Sequence, residues 1–543
     1  MRGGCGRLLL KGEKMLMKSA KIWCLRGGVA WLALCVLQDA GAVQNRASAK
    51  IDHLVSARLD ELGIPPSDPC TDEVFLRRIY LDMIGTLPTS EEARAFLDGN
   101  NTNKRSALIE TLFERSEFAD YWSLKWCDLL RVKAEFPSKL WPNAVQAYHR
   151  WVRTALFTNM PYDRFAREML TASGSNFRVA PVNFYRAMPN REPQEIARIV
   201  ALTFMGMRTD GWEREQQLGM AAFFGNVDYK GTAEWKEEIV FFDPTKQFLH
   251  PDTKKPVVPR LPNGTVVELP PGQDPRAVFA DWLVTDKAFS RSVVNRIWYW
   301  LLGRGMVHEP DDFNADNPPQ NQALLDYLAK ELVSSGYDLR HVYRIILNSK
   351  TYQRSAIHNE GNHTDTANFS HYQVRRLGAE VLIDAICQIT RTTETYSSAI
   401  PEPFTWIPEE QRSILLADGS ITSPFLDLYG RPPRDSGYES ERNNNPSSSQ
   451  KLHLLNSTHI QRKIMNNTRL LGMRGGQKKK KTTWRSLEET LEEMYLTILS
   501  RYPTAQEKET ARIYVRQSKL GRRDVAIDLV WALLNTKEFI YKH

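Results

Sequence analysis

The chain has 543 residues, 42% of them hydrophobic and 25% charged. Its length suggests about two to four domains, and its near-average apolar and charged fractions exclude a wholly disordered or fibrous chain. Mean hydropathy is -0.44, and no apolar run approaches the roughly 18 residues of a spanning helix, which excludes a polytopic membrane protein.

The net charge of +8 is concentrated at the N-terminus, where residues 1–42 carry seven Lys/Arg against Glu13 and Asp39, leaving +3 for the remainder. This leader reads as a secretory signal peptide. Lys18, Lys21 and Arg26 form its basic region, Val29 to Leu37 its short apolar stretch, and Ala40-Gly41-Ala42 the small residues of a cleavage site. Met15 or Met17 would make a more ordinary start than Met1. The other reading is an uncleaved anchor; a lipoprotein signal is disfavoured by the bulky Leu34 before Cys35. The expected location is exported, periplasmic or extracellular, with no transmembrane span in the mature chain.

A mature charge near +3 removes the case for a nucleic-acid partner built on charge alone. One basic run, Arg474 to Lys481, reads as a solvated linker, with a polyanion contact as its alternative. Six cysteines fall to three on cleavage: Cys70, Cys127 and Cys387. Cys127 and Cys387 lie in apolar helical patterns and read as buried thiols, though an exported chain could pair two of the three. No CxxC is present, so neither a Cys-based zinc site nor a CxxCH haem is expected, and no cofactor is predicted.

The fold expected is mainly α, with two helical lobes and a small β-hairpin element between them. After the leader, residues 43–225 form the first lobe. Helical spacing covers Ile51–Leu62 and Thr71–Ile84; Thr89 and Glu92 then form a capping box. Val145, Tyr148, Val152 and Ala155 make a helical stripe, and Glu195–Met207 follows. Residues 226–273 hold the β element, because β-branched residues flank Asn263-Gly264, a two-residue type I′ turn signal. Residues 274–543 form the second lobe, with helical patterns over 275–302, 321–334, 338–348 and 372–389. Within it, 401–450 is polar and rich in Pro and Gly, an irregular loop or a lid. Tyr80-Leu81, Pro88-Thr89 and Glu92 recur with identical spacing as Tyr495-Leu496, Pro503-Thr504 and Glu507. If the echo is more than shared helix–turn–helix grammar, helical hairpins near both ends share one geometry and pack together.

No nucleophile elbow, HExxH, Walker A or dinucleotide fingerprint occurs. The densest polar cluster is Asn295, Arg296, Arg304, Asp311 and Asp312. Arg296 and Arg304 are expected to pair with Asp311 and Asp312 and clamp a turn; the competing reading is a hydrolytic set of Asp311/Asp312 with Arg296. Asp312, Asn314 and Asp316 alternate as Ca²⁺ ligands do, but Asn317 and Ala323 break the EF-hand pattern, and an Asx-rich turn is the alternative. Arg431, Arg434 and Arg442 could hold an anion bidentately, or join Glu439 and Glu441 in an internal ion-pair network. Gly303-Arg304-Gly305 reads as a helix C-cap. Of fourteen Trp, several lie in apolar stripes and read as core, while Trp235 stands in a charged stretch and reads as exposed, weak evidence for a sugar site.

The segments Asp274-Pro275-Arg276, Val294 to Trp298, Gly303-Arg304-Gly305, Asp311-Asp312-Phe313, Gly430-Arg431-Pro432, Glu441-Arg442 and Leu452 to Asn456 resemble domain-of-unknown-function family 1553. Arg77 to Asp82 and Gly85 to Thr89 resemble its usual companion, family 1549. The resemblance implies a planctomycete-type exported protein without established activity, in a group often fused to or encoded with cytochrome c-like modules. Relatives often carry a CxxCH-type motif; here that place reads Met207 to Arg214, without Cys or His. Three functions follow as expectations: a binding or assembly component of a bacterial envelope system, with envelope proteins or glycans as partners and a link to polysaccharide handling; a hydrolase of unfamiliar design; or a redox partner without its own haem.

Overall fold

A computed structural model describes residues 45–270, 272–467, 470–471, 473–474 and 483–543. The leader and all of the basic run except Arg474 lie outside the described residues. The protein is mainly α-helical, and no helix among the described residues is long and apolar enough to cross a membrane.

The helices begin where side chains can satisfy their free N–H groups. Asp274 accepts from Arg276 N ahead of Pro275–Leu283, Asp286 accepts from Ala288 N ahead of Lys287–Leu302, and Asp338 accepts from His341 N ahead of Leu339–Leu347. Thr89/Glu92 and Thr504/Glu507 both close full capping boxes. The echo continues in space. Arg115 joins Glu92 (2.9 Å) and Glu117 over the Tyr80 ring; Arg501 joins Glu507 (2.8 Å) and Glu538 (2.7 Å) over the Tyr495 ring. The helices Ser90–Leu97 and Leu487–Leu499 pack on each other, with Arg94 reaching Glu492 at 2.8 Å.

The β content is small. Gly174–Ser175, Glu238–Phe242 and Val227–Gly231 make an antiparallel sheet with Glu238–Phe242 in the centre and Tyr229 opposite Val240. Its main hairpin falls inside the expected element of 226–273, but not at Asn263-Gly264. There the ribbon is reduced to a bridge between Arg260 and Val266. The turn is not type I′: Gly264 has φ +89° and Asn263 is not in the left-handed region. Gly264 N donates to Leu261 O and Leu261 N to Thr265 O. Pro262, with its fixed negative φ, takes the first central position of a common turn and leaves the left-handed residue to Gly264.

One buried apolar cluster runs from Ala47 to Phe539 and draws on both halves of the chain. The helix over 45–62 packs onto the C-terminal half: Ser48 donates to Ile345 O, and Asp52 accepts from Lys350 N and Thr351 N. Across the middle, Trp122 and Trp126 of the helix Ser116–Leu129 meet Trp300 at 5.5 and 5.9 Å between ring centres. Arg77 and Arg78 use their guanidiniums to hold the carbonyls of Ile498, Phe539, His543 and Tyr352, tying the end of the chain to the helix Asp72–Met83. The three cysteines among the described residues are free, Cys70 and Cys127 buried and Cys387 partly so.

Candidate functional site

A cavity of about 620 Å³ opens where five stretches of chain meet. The helix Ser116–Leu129 contributes Tyr121, Leu124 and Lys125, whose spacing sets them on one face. The helix Lys287–Leu302 ends there with Tyr299, Trp300 and Gly303. Arg375 and Arg376 lie on a two-residue strand paired with Tyr541–Lys542, Arg375 opposite Lys542 and Arg376 opposite Tyr541, and all four line the space. Glu380 and the segment Glu439 to Pro446 complete the wall, and Val374, 55% exposed, stands at the rim.

Five cations and three carboxylates line this cavity. Several are committed inward. Lys542 pairs with buried Asp82 at 2.6 Å, and the Tyr352 and Tyr372 hydroxyls donate to the same carboxylate. Arg442 bridges Glu380 and Asp128, each at 2.6 Å. Burial pushes the Glu380 carboxyl up, but Arg442 and Arg431 overrule it and hold it at about 2.

Other groups at the wall are unspent. Among the described residues, Nε of Arg442, Nε of Arg375 and Oδ1 of Asn444 are buried without a hydrogen-bond partner. Burial lowers the Lys125 ammonium to about 8, with Arg442 lowering it further and Glu439, Asp128 and Glu380 acting against that. Burial raises the Glu439 carboxyl, with Lys125 pulling it back. Burial likewise raises the phenols of Tyr121 and Tyr299, so both are donors at neutral pH.

The polar cluster named from sequence lies behind this wall. Arg296 is 0% and Asp311 2% exposed, and they pair at 2.8 Å. Arg296 also donates to the carbonyls of Thr203 and Leu202, and Asp311 accepts from Glu439 N at 2.7 Å. The pair is therefore a strut that fixes the backbone of Glu439. Asn295 exchanges both its amide hydrogen bonds with Val307. The expected partnership of Arg304 with Asp312 is not formed: Asp312 faces Arg208 at 3.7 Å, and Arg304 Nε is buried without a partner among the described residues. The peptide turns at Gly303, φ +90°, as a left-handed C-cap, and this carries Arg304 away from the aspartates.

Asn314 Oδ1 accepts from Asp316 N and Asn317 N, which makes it the hinge of an Asx turn rather than a free ligand beside Asp312 and Asp316. Among the described residues no group of three or more His, Cys, Asp or Glu is placed to hold a metal ion. Of the three arginines proposed for an anion, only Arg442 reaches the cavity. Arg434 is fully buried on Asp128 (2.9 Å), Ala417 O and Val132 O; Arg431 holds Ile421 O and Asp418 O and lies 3.5 Å from Glu380. Arg431 and Arg434 thus pin the parts of the loop 401–450 around Ala417 to Ile421 from within. Trp235 is 55% exposed, yet its ring leans on Trp141 and Phe404.

Sequence reasoning missed Lys125, Arg375, Glu380 and Lys542. Tyr121, Lys125 and Asp128 do carry a signal: polar residues spaced by four and three along a Trp-rich helix otherwise made for burial.

The two halves of this architecture are recognised separately. Residues 50–228 match the PSCyt2 family, described as protein of unknown function (DUF1549), and residues 275–515 match PSD1, described as protein of unknown function (DUF1553). The chain thus carries a DUF1549 region followed by a DUF1553 region, and its cavity takes wall residues from both. No curated protein and no solved structure matches the chain.

Proposed function

We propose that this is an exported ligand-binding protein of the bacterial envelope, and that its cavity takes an anionic small molecule or the anionic end group of a glycan. The observation that carries the reading is the excess of cations on the lining, Lys125, Arg375, Arg376, Arg442 and Lys542 against Glu309, Glu380 and Glu439, with Lys125 in no ion pair among the described residues. A lining with more cations than carboxylates favours an anion, and a carboxylate or phosphate is the kind that lysine and arginine hold best. The volume suits a ligand of monosaccharide to drug size.

The buried strut of Arg296 and Asp311 lends nothing to a hydrolytic role for those residues with Asp312, because no substrate reaches a pair so enclosed. Calorimetric titration of the mature chain with glucuronate, glucose 6-phosphate and neutral glucose tests the proposal. Binding of at least one anion, weakened tenfold or more in Lys125→Met and absent for glucose, is the expected result. Equal binding of glucose, or silence with both anions, refutes it. Mass spectrometry of the N-terminus in cell fractions tests export: the expected product starts after Ala42 and leaves the cytosol.

A further inference from the structure

A second cavity, of about 360 Å³, shares no lining residue with the first. One side is the start of the helix Pro142–Phe157, and the other is the stretch from Pro403 to Ile421. Phe404 and Trp406 line it while 45% and 69% exposed, although rings of that size are usually covered. Phe404 is held from behind: Trp235 lies 5.0 Å and Trp141 5.5 Å from its ring centre, and those two meet edge to face at 4.7 Å. The Lys236 ammonium sits over Trp141 and Trp235, at 5.2 and 5.5 Å. These two rings therefore serve as backing, and Phe404 and Trp406 are the faces left to the cavity. Trp141 takes φ +73°, a costly conformation for a residue with a side chain, where its ring meets the other two.

The polar groups open to this cavity are uncharged. Asn143 and Gln146 stand three apart on one helix face, both exposed, and neither side-chain amide makes a hydrogen bond among the described residues. Gln411 adds a third amide from the opposite side, with one N–H shared to Arg412 O at 3.3 Å. Each amide carries an acceptor and two donors. Asp418, the one charged residue of the lining, is 2% exposed and accepts from Ala134 N and Ser420 N. The loop side is fixed in place, because Arg434 holds Ala417 O at 2.7 Å and Arg431 holds Ile421 O.

We propose that this cavity and its aromatic rim bind a neutral glycan of β-linked hexoses, at a site separate from the anion cavity. A pyranose with equatorial hydroxyls has an apolar face of C–H groups and an edge of hydroxyls that both donate and accept. The rings of Phe404 and Trp406 suit the face, and the amides of Asn143, Gln146 and Gln411 suit the edge. An anion meets no cation on this lining, and a basic segment meets no free carboxylate. The volume is at the small end for a ligand site, which fits a short run of sugar rings with the rest of the chain in solvent.

The test titrates cellohexaose into the mature chain, read by calorimetry and by tryptophan fluorescence. A hexasaccharide is needed because a lone glucose covers one ring only and stays below calorimetric detection. The expected result is saturable binding with a change in fluorescence, weakened about tenfold in Trp406→Ala and in the double variant Asn143→Ala/Gln146→Ala. The glucuronate titration of Trp406→Ala should match that of the parent chain; a change there would join the two sites and overturn their separation. All three positions are exposed, and circular dichroism confirms that the variants fold; if Trp406→Ala does not, the amide pair decides. Silence with cellohexaose, or equal affinity in the parent and both variants, overturns the proposal. Sedimentation of the same proteins covers the remaining occupant: self-association of the parent chain that Trp406→Ala abolishes gives this face to a second copy and removes the glycan.

Discussion

The strut between Arg296 and Asp311 should be indispensable to the fold, and Asp311→Ala measures how much. The aspartate is 2% exposed and its partner is fully enclosed, so the substitution leaves a buried guanidinium facing only the carbonyls of Leu202 and Thr203. Breaking a buried pair from one side costs about 3–5 kcal/mol. The same change orphans the N–H of Glu439, which accounts for about 1–3 kcal/mol more. The two losses overlap, since a backbone freed at Glu439 can relax, and about 4–6 kcal/mol is the expected sum. An unfolding entropy near 2.1 cal/mol/K per residue over about 500 residues gives about 1 kcal/mol/K, so the melting temperature should fall by about 4–6 °C if the chain unfolds as one unit. Scanning calorimetry reads this directly. Asp312→Ala is the internal comparison: its 3.7 Å contact with Arg208 is part-exposed, and it should shift the melt by less than about 1 °C. The double variant Arg296→Met/Asp311→Leu removes both charges and should recover part of the loss. A single-variant shift below about 1 °C, or a double variant worse than Asp311→Ala, would refute the argument that an unpaired buried charge dominates.

Two further outcomes follow from the cavity wall. Glu380 titrates near 2 in the folded chain against an ordinary 4.5, so it contributes stability above pH 4.5 that is lost as pH falls toward 2. Melting curves of Glu380→Gln should therefore start lower at neutral pH and lose less across that window; parallel slopes in the two proteins would contradict the assignment. Gly303→Ala meets two obstacles, a φ of +90° and a new Cβ only 2.5 Å from Arg375 Cδ. A loss of about 2–3 kcal/mol is expected from the left-handed penalty plus the displaced side chain, with weaker anion binding by titration because Arg375 must move; unchanged affinity would separate Arg375 from the site.

How much of this could be seen in the sequence depends on the range of the interactions involved. Helices and their caps are local, and Thr89/Glu92 and Thr504/Glu507 form the boxes that their spacing implies. The turn at Asn263-Gly264 is also local, yet it differs from the expected type because Pro262 competes for a position in the turn. The cavity is legible at no single point. Lys125 and Lys542 are 417 positions apart in the chain, and they meet only because Arg77, Arg78 and Asp82 bind the C-terminal strand to an N-terminal helix. The arginine-rich stretch was visible by type but not by task, since one guanidinium serves an outside anion or an inside carbonyl equally well.

That ambiguity has a physical resolution. A loop such as 401–450 buries irregular backbone, and its carbonyls need donors that neither helix nor sheet supplies. Arg431 answers for Asp418 and Ile421, Arg434 for Ala417 and Val132, and Arg376 for Tyr429 and Asn443. These arginines do the work of secondary structure, and Asp128 and Glu380 balance part of their charge from the flanking helices. A guanidinium has five N–H groups in a fixed fork, and a planar wall rarely offers five acceptors. At Arg442 both terminal nitrogens are taken by carboxylates and Nε is left over; Arg375 is left with the same atom after capping the carbonyls of Trp300 and Leu301. Both leftover N–H groups are enclosed by the packing itself, so the arginines of this chain serve the loop first, and Arg375 and Arg442 offer the cavity their charge rather than a free donor.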